Sequence, residues 1–114
     1  MIGFDEYQAA ADRTRAHDLS DRDALAMAAM GLAGEGGECC DHVKKHLFHG
    51  HALDKEKLKK EIGDVLWYVA ILAKEIGLPL SAVAEANVAK LRARYPDGFS
   101  TADSLARRDV EKGT

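Results

Sequence analysis

Apolar residues recur along this chain at spacings of three and four, and no stretch shows the period-two alternation of a half-buried strand. With alanine, leucine, lysine and glutamate abundant and prolines only at 79 and 96, the pattern predicts an all-α protein. A first helix is expected from Phe4 to about Arg15, with Phe4, Tyr7 and Ala11 on one face. Ser20 and Asp23 have the spacing of a capping box and open a second helix to about Phe48. Its stripe is Leu25, Ala29, Leu32, Gly36, Cys39, Val43 and Leu47. After a loop at His49–Asp54, Asp54 caps a third helix that ends at Gly77. A fourth runs from Ser81 to about Tyr95 and is closed by the turn "YPDGF". A short helix near Ser104 and a frayed charged end, "RRDVEKGT", complete the expectation.

The third helix carries the stripe Leu58, Ile62, Val65, Leu66, Val69, Leu72 and Ile76, but Val65–Ala73 is apolar on every side. A helix apolar all round is buried all round. Four helices of this length cannot enclose it, so a second subunit is expected, giving a homodimer or homotetramer.

Composition narrows the class. The 114 residues suit one domain, here divided as 1–100 with a tail at 101–114. A net charge of −3 lacks the basic bias of a nucleic-acid binder, and no apolar run is long enough for a membrane span. The N-terminus lacks the order of a signal peptide. Cys39 and Cys40 are adjacent and unsuited to bridging each other, which points to a reduced, cytoplasmic protein.

The chemistry lies in two acidic pairs. Glu35 and Glu38 are three apart on the second helix, and Glu61 and Asp64 repeat the spacing on the third. If the two helices pack antiparallel across the short loop, four carboxylates converge at similar height. Like charges near a core need cancelling, and a divalent cation that prefers oxygen ligands does this. Gly34, Gly36, Gly37 and Gly63 flank the acids and clear space beside them for a helix, ligand or metal. The competing account is that each pair is an ordinary solvated helix flank.

The ordered set "GLAGEGGECCDHVKK", "LKKEIGDVLWYVAILAKEIGL" and "EANVAKLRARYPDGFS" resembles the MazG-type nucleotide pyrophosphohydrolases of the all-α NTP pyrophosphatase superfamily. In this chain 22 residues separate Glu38 from Glu61, as in the E-x-x-E…E-x-x-D signature of that family. The resemblance implies a four-helix-bundle-like fold completed by homo-oligomerisation. It also implies magnesium, with manganese as a substitute, held by Glu35, Glu38, Glu61 and Asp64. The reaction implied is hydrolysis of a nucleoside triphosphate to the monophosphate and pyrophosphate, with Glu38 or Glu35 as base. Asn87, Lys90, Arg94 and Tyr95 match the segment that contacts phosphates and sugar, and Lys45 continues the line of Glu38. Gly34 stands where some relatives carry a further acid, which leaves metal stoichiometry and the identity of the base open.

Some residues have two readings. His42 is expected on an exposed flank, with contact to phosphate or base as the second reading; Trp67 in a subunit interface, with stacking on a base as the second; and Lys55–Lys60 on a solvated face, with electrostatic guidance of substrate as the second. Cys39, Cys40, His42, His46, His49 and His51 could instead form a non-enzymatic zinc module, although no C-x-x-C is present and Cys39 falls on the apolar stripe. Within the superfamily, a phosphoribosyl-ATP or a dUTP/dCTP pyrophosphatase are the alternatives.

Overall fold

The computed structural model describes residues 1–110, and the described residues form five helices and no strand. These are α1 (Phe4–Asp12), α2 (Asp21–Phe48), α3 (Lys55–Glu75), α4 (Leu80–Arg94) and α5 (Thr101–Ala106). The predicted start signals operate. Ser20 Oγ accepts from Asp23 N and Asp54 Oδ1 from Lys57 N. A third cap, outside the expectation, opens α5, where Ser100 Oγ accepts from Asp103 N. Gly77, at φ 77°, takes the left-handed conformation that ends α3, and Leu78 N reaches back to Ala73 O at 2.9 Å.

The chain separates into two compact units, Met1–Leu80 and the residues from Ser81 onward. In the first, α2 and α3 form an antiparallel hairpin and α1 packs on α3. Its core is made of small side chains: Ala11, Ala24, Ala28, Ala70 and Ala73 are buried with Ile71 and Leu80. Small residues let the backbones approach closely. Gly31 marks the tightest approach, because a Cβ there would lie 2.1 Å from Cε1 of Tyr68. Gln8 is the buried polar member, with Nε2 donating to Ala70 O and Leu78 O and Oε1 accepting from Leu80 N.

Three expectations change. First, α1 stops at Asp12: Thr14 bonds the carbonyl of Ala11 through both its N–H and its hydroxyl, which turns the chain early. Second, the hairpin closes through the small face of α2, not through the predicted stripe. Leu25, Val43 and Leu47 on α2 and Ile62 and Leu66 on α3 are exposed within the chain, Leu47 and Ile62 by more than half. Third, the predicted frayed end is ordered as far as it is described. Asp109, with its side chain only 3% exposed, is gripped by Arg94 within the second unit. Residues 111–114 of that prediction lie outside the described residues.

Candidate active site

The antiparallel register of α2 and α3 sets the level of every polar group in the hairpin. Gly31 meets Tyr68, Glu35 shares a hollow with Asp64, and Glu38 shares another with Glu61. As the number rises on one helix it falls on the other. The four acids thus stand as two cross-helix pairs lining separate hollows. They do not converge on one point: among the described residues, no three His, Cys, Asp or Glu side chains close on a common metal position. Cys39 lies between the pairs. Its thiol is pushed up by desolvation and then by the charges of Glu61, Glu35 and Asp64.

The hollow nearer the loop has a volume of about 440 Å³ and is lined by Glu38, Asp41, His42, Lys45, Lys57 and Glu61, with His51, Ala52 and Asp54 at the loop. His42 departs from its expected exposed position. Its side chain is 7% exposed and its Nδ1 lies 3.5 Å from Glu61 Oε2. Neither His42 Nε2 nor Glu61 Oε2 has a hydrogen-bond partner although both are buried. Buried polar atoms normally have one, which sets these two apart from the other polar groups of the hollow. Lys45 bonds Asp41 at 2.9 Å, and Lys44 lies 3.4 Å from the same carboxylate. Lys45, and then Lys44, hold the Asp41 carboxyl below the usual range despite some desolvation.

The other hollow is lined by Thr14, Glu35, Asp64, Trp67 and Tyr68. Trp67 Nε1 donates to Thr14 Oγ1 at 2.8 Å, and its ring meets Tyr68 edge-on with centroids 4.9 Å apart. Trp67 therefore faces an acid-lined hollow within its own chain. Tyr7 of α1 joins this side, its hydroxyl pKa raised by desolvation and by Asp64.

The glycines beside the acids clear space, as expected, but not for another helix of this chain. A Cβ at Gly34, Gly36, Gly37 or Gly63 would meet nothing within 4 Å. These four leave open space beside the acids and permit no close packing within the chain. The glycine that contact requires is Gly31.

Asn87, Lys90, Arg94 and Tyr95 lie at the C-terminal half of α4 and just after it, in the second unit. Asn87 and Lys90 are exposed. Arg94 is occupied: its Nε and Nη2 bond the two carboxylate oxygens of Asp109 at 2.8 and 2.7 Å. A phosphate role for Arg94 would require breaking that fork. Tyr95 packs against Phe99, centroids 5.4 Å apart, beside the Arg94 guanidinium.

The zinc arrangement does not assemble: among the described residues no three His, Cys, Asp or Glu side chains are grouped to hold a metal ion, and His46 Nδ1 is bonded to His51 O at 2.8 Å. What the sequence reading missed is the inward turn of His42 and the presence of Asp41 and Lys57 in the same hollow. The available signal was spacing: 38, 41, 42 and 45 share one face of a helix.

A protein of Mycobacterium phage L5, described as "Gene 37 protein", is 38% identical over 102 residues, covering 82% of this chain and 90% of its own length. No solved structure is significantly similar. The MazG nucleotide pyrophosphohydrolase domain matches residues 24–99, which include both acidic pairs and all but the first three residues of the α2–α3 hairpin that presents them. The chain belongs to the MazG nucleotide pyrophosphohydrolase family.

Proposed function

We propose that this protein hydrolyses a nucleoside triphosphate to the monophosphate and pyrophosphate with the help of magnesium. The observation that carries this reading is the pairing of Glu38 with Glu61 and of Glu35 with Asp64 across one hairpin, with a buried Glu61 oxygen left unpartnered. The donors are carboxylate oxygens, which suit a hard divalent cation, and the family generally uses divalent metals. Glu38 with Glu61, and Glu35 with Asp64, would supply oxygen ligands from the two hollows, and a bound divalent cation would offset phosphate charge and acidify a water molecule. Glu38 is exposed and Glu35 half-buried, so Glu38 is the better placed of the two to take the proton from attacking water. The hollow of Thr14, Trp67 and Tyr68 offers an aromatic wall to the nucleoside.

A second copy of the chain is the expected partner. The exposed apolar side chains of α2 and α3, among them Leu47 and Ile62, support it. Asn87 and Lys90 remain candidate nucleotide contacts of the second unit.

The test is incubation with magnesium and a panel of canonical, deoxy and modified triphosphates, with a Glu38→Gln control. Monophosphate plus pyrophosphate from the wild type alone supports the reading. Diphosphate and orthophosphate would reject attack at the α-phosphorus.

A further inference from the structure

The hollow at the loop end of the hairpin changes character along its length. On α2, Glu38, Asp41, His42 and Lys45 occupy one face. On α3, Lys57 and Glu61 are four apart on another. Because the helices are antiparallel, both faces run from acid to lysine in the same spatial direction, toward the 49–54 loop. At 1.5 Å rise per residue, Lys45 lies about 10 Å beyond Glu38 and Lys57 about 6 Å beyond Glu61 along the helix axes. A purely carboxylate floor thus gives way to an end where two lysines stand with Asp41 and Asp54.

That end is held in shape. His46 Nδ1 is bonded to His51 O, His51 N donates to Lys45 O at 3.2 Å, and Asp54 caps Lys57 N. Asp54 is therefore engaged with backbone and Asp41 with lysines. Two polar atoms of the hollow lack a hydrogen-bond partner: Glu61 Oε2 on its carboxylate side, and Nε2 of His42, whose side chain is more than nine-tenths buried. Arg94, the strongest cation of the second unit's nucleotide-like segment, is already forked to Asp109.

We propose that the loop end of this hollow is a pyrophosphate subsite, with Lys45 and Lys57 holding the β- and γ-phosphates and His42 completing the wall. The polyphosphate then runs from the carboxylate pairs toward the 49–54 loop. The nucleoside lies on the opposite side, toward Trp67. Lys45 shares its charge between Asp41 and the phosphate, and Lys57 approaches from the facing helix. Two cations on opposite walls suit a diphosphate leaving group, whose negative charge grows as the bond to the α-phosphorus breaks. This assignment rests on the proposed triphosphate reading and adds its direction and its leaving-group residues.

The experiment is isothermal titration of the full chain with inorganic pyrophosphate in the presence of magnesium, a probe that needs no knowledge of the base. Lys57→Ala and Lys45→Ala should each weaken binding about tenfold, the scale of one lost charged hydrogen bond. Lys59→Ala, a nearby exposed lysine outside the hollow, should change it less than threefold. Lys57 is exposed, so its variant keeps the fold even if the Lys45 variant does not. Equal, small losses from all three lysines would reduce the effect to general electrostatics and overturn the subsite. If Glu61→Gln abolishes pyrophosphate binding while Lys57→Ala leaves it intact, the carboxylate reading stands and the subsite falls. Absence of pyrophosphate binding by the wild type overturns both.

Discussion

Arg94 and Asp109 face each other through two parallel hydrogen bonds of 2.8 and 2.7 Å, and Arg107 adds a contact of 3.6 Å to the same carboxylate. The fork ties the segment after α5 to the end of α4 inside the second unit. The Arg94 guanidinium, by hydrogen bond and charge, holds the Asp109 carboxyl well below the usual carboxylate range, and Arg107 adds to this. A carboxyl whose pKa is lower folded than unfolded contributes stability above its unfolded value of about 3.9 and loses that contribution as the pH falls further. Residues 101–110 should therefore keep their amide resonances unchanged from pH 7 to pH 5 and begin to shift only below about pH 4. A midpoint between pH 5 and 7 would contradict the pairing.

The same fork predicts non-additive mutants. Arg94→Ala and Asp109→Ala should each lower the melting temperature, and the double variant should be little worse than either single one, because both remove one interaction. Thermal melts of the four proteins decide it. Additive losses would mean that the two residues act separately.

Gln8 satisfies three backbone groups from one amide. Truncating it leaves those groups without their side-chain partner, at a cost of roughly 2–4 kcal/mol. Urea unfolding of Gln8→Ala should show a loss of that size. A change below about 0.5 kcal/mol, the usual range for a surface substitution, would mean that water replaces the amide easily.

Glycine substitutions should split by contact. Gly31→Ala places a methyl group where the Tyr68 ring lies, so it should destabilise by about 1–3 kcal/mol and alter the near-UV dichroism of Trp67 and Tyr68. Gly36→Ala and Gly37→Ala meet open space and should gain up to about 1 kcal/mol of helix propensity. If they also weaken nucleotide binding, the space beside the acids is occupied in the working enzyme. Unchanged binding would assign these glycines no part in the site.

Magnesium should raise the melting temperature of the wild type and leave that of Glu61→Gln unmoved, since a ligand that binds only the folded state stabilises it by mass action. Without magnesium the Glu61→Gln variant should be at least as stable as the wild type, because one buried carboxylate charge is gone. A magnesium response retained in this variant would remove Glu61 from the metal site.

Two helix starts were legible in the sequence because caps are local: Ser20 and Asp54 each bond an N–H three residues on, as Ser100, which was not read as a cap, also does. The acidic pairs were legible as spacing. Which face of α2 points inward was not, because the bulky stripe of Leu25, Val43 and Leu47 carries the stronger pattern while the chain packs through Ala24, Ala28 and Gly31. His42 was misread for the same reason, since turning the helix toward its small face carries His42 inward with Glu35. The Arg94–Asp109 fork was not legible, because Asp109 lies 15 residues away across a turn and a short helix, beyond any local spacing rule.

The level-by-level register of α2 and α3 also makes the hairpin unequally tolerant of inserted and deleted residues. One residue added to α2 between Gly31 and Glu38 turns all that follows by about 100° about the helix axis. Glu38, His42 and Lys45 would then leave the hollow together while Gly31 stayed against Tyr68. One residue added at the exposed loop position 52 or 53 changes only the length of the connection, a small entropic cost. Length variation among proteins built on this hairpin should thus gather in the loop, and the two helix segments facing the hollow should vary in residue type but not in number.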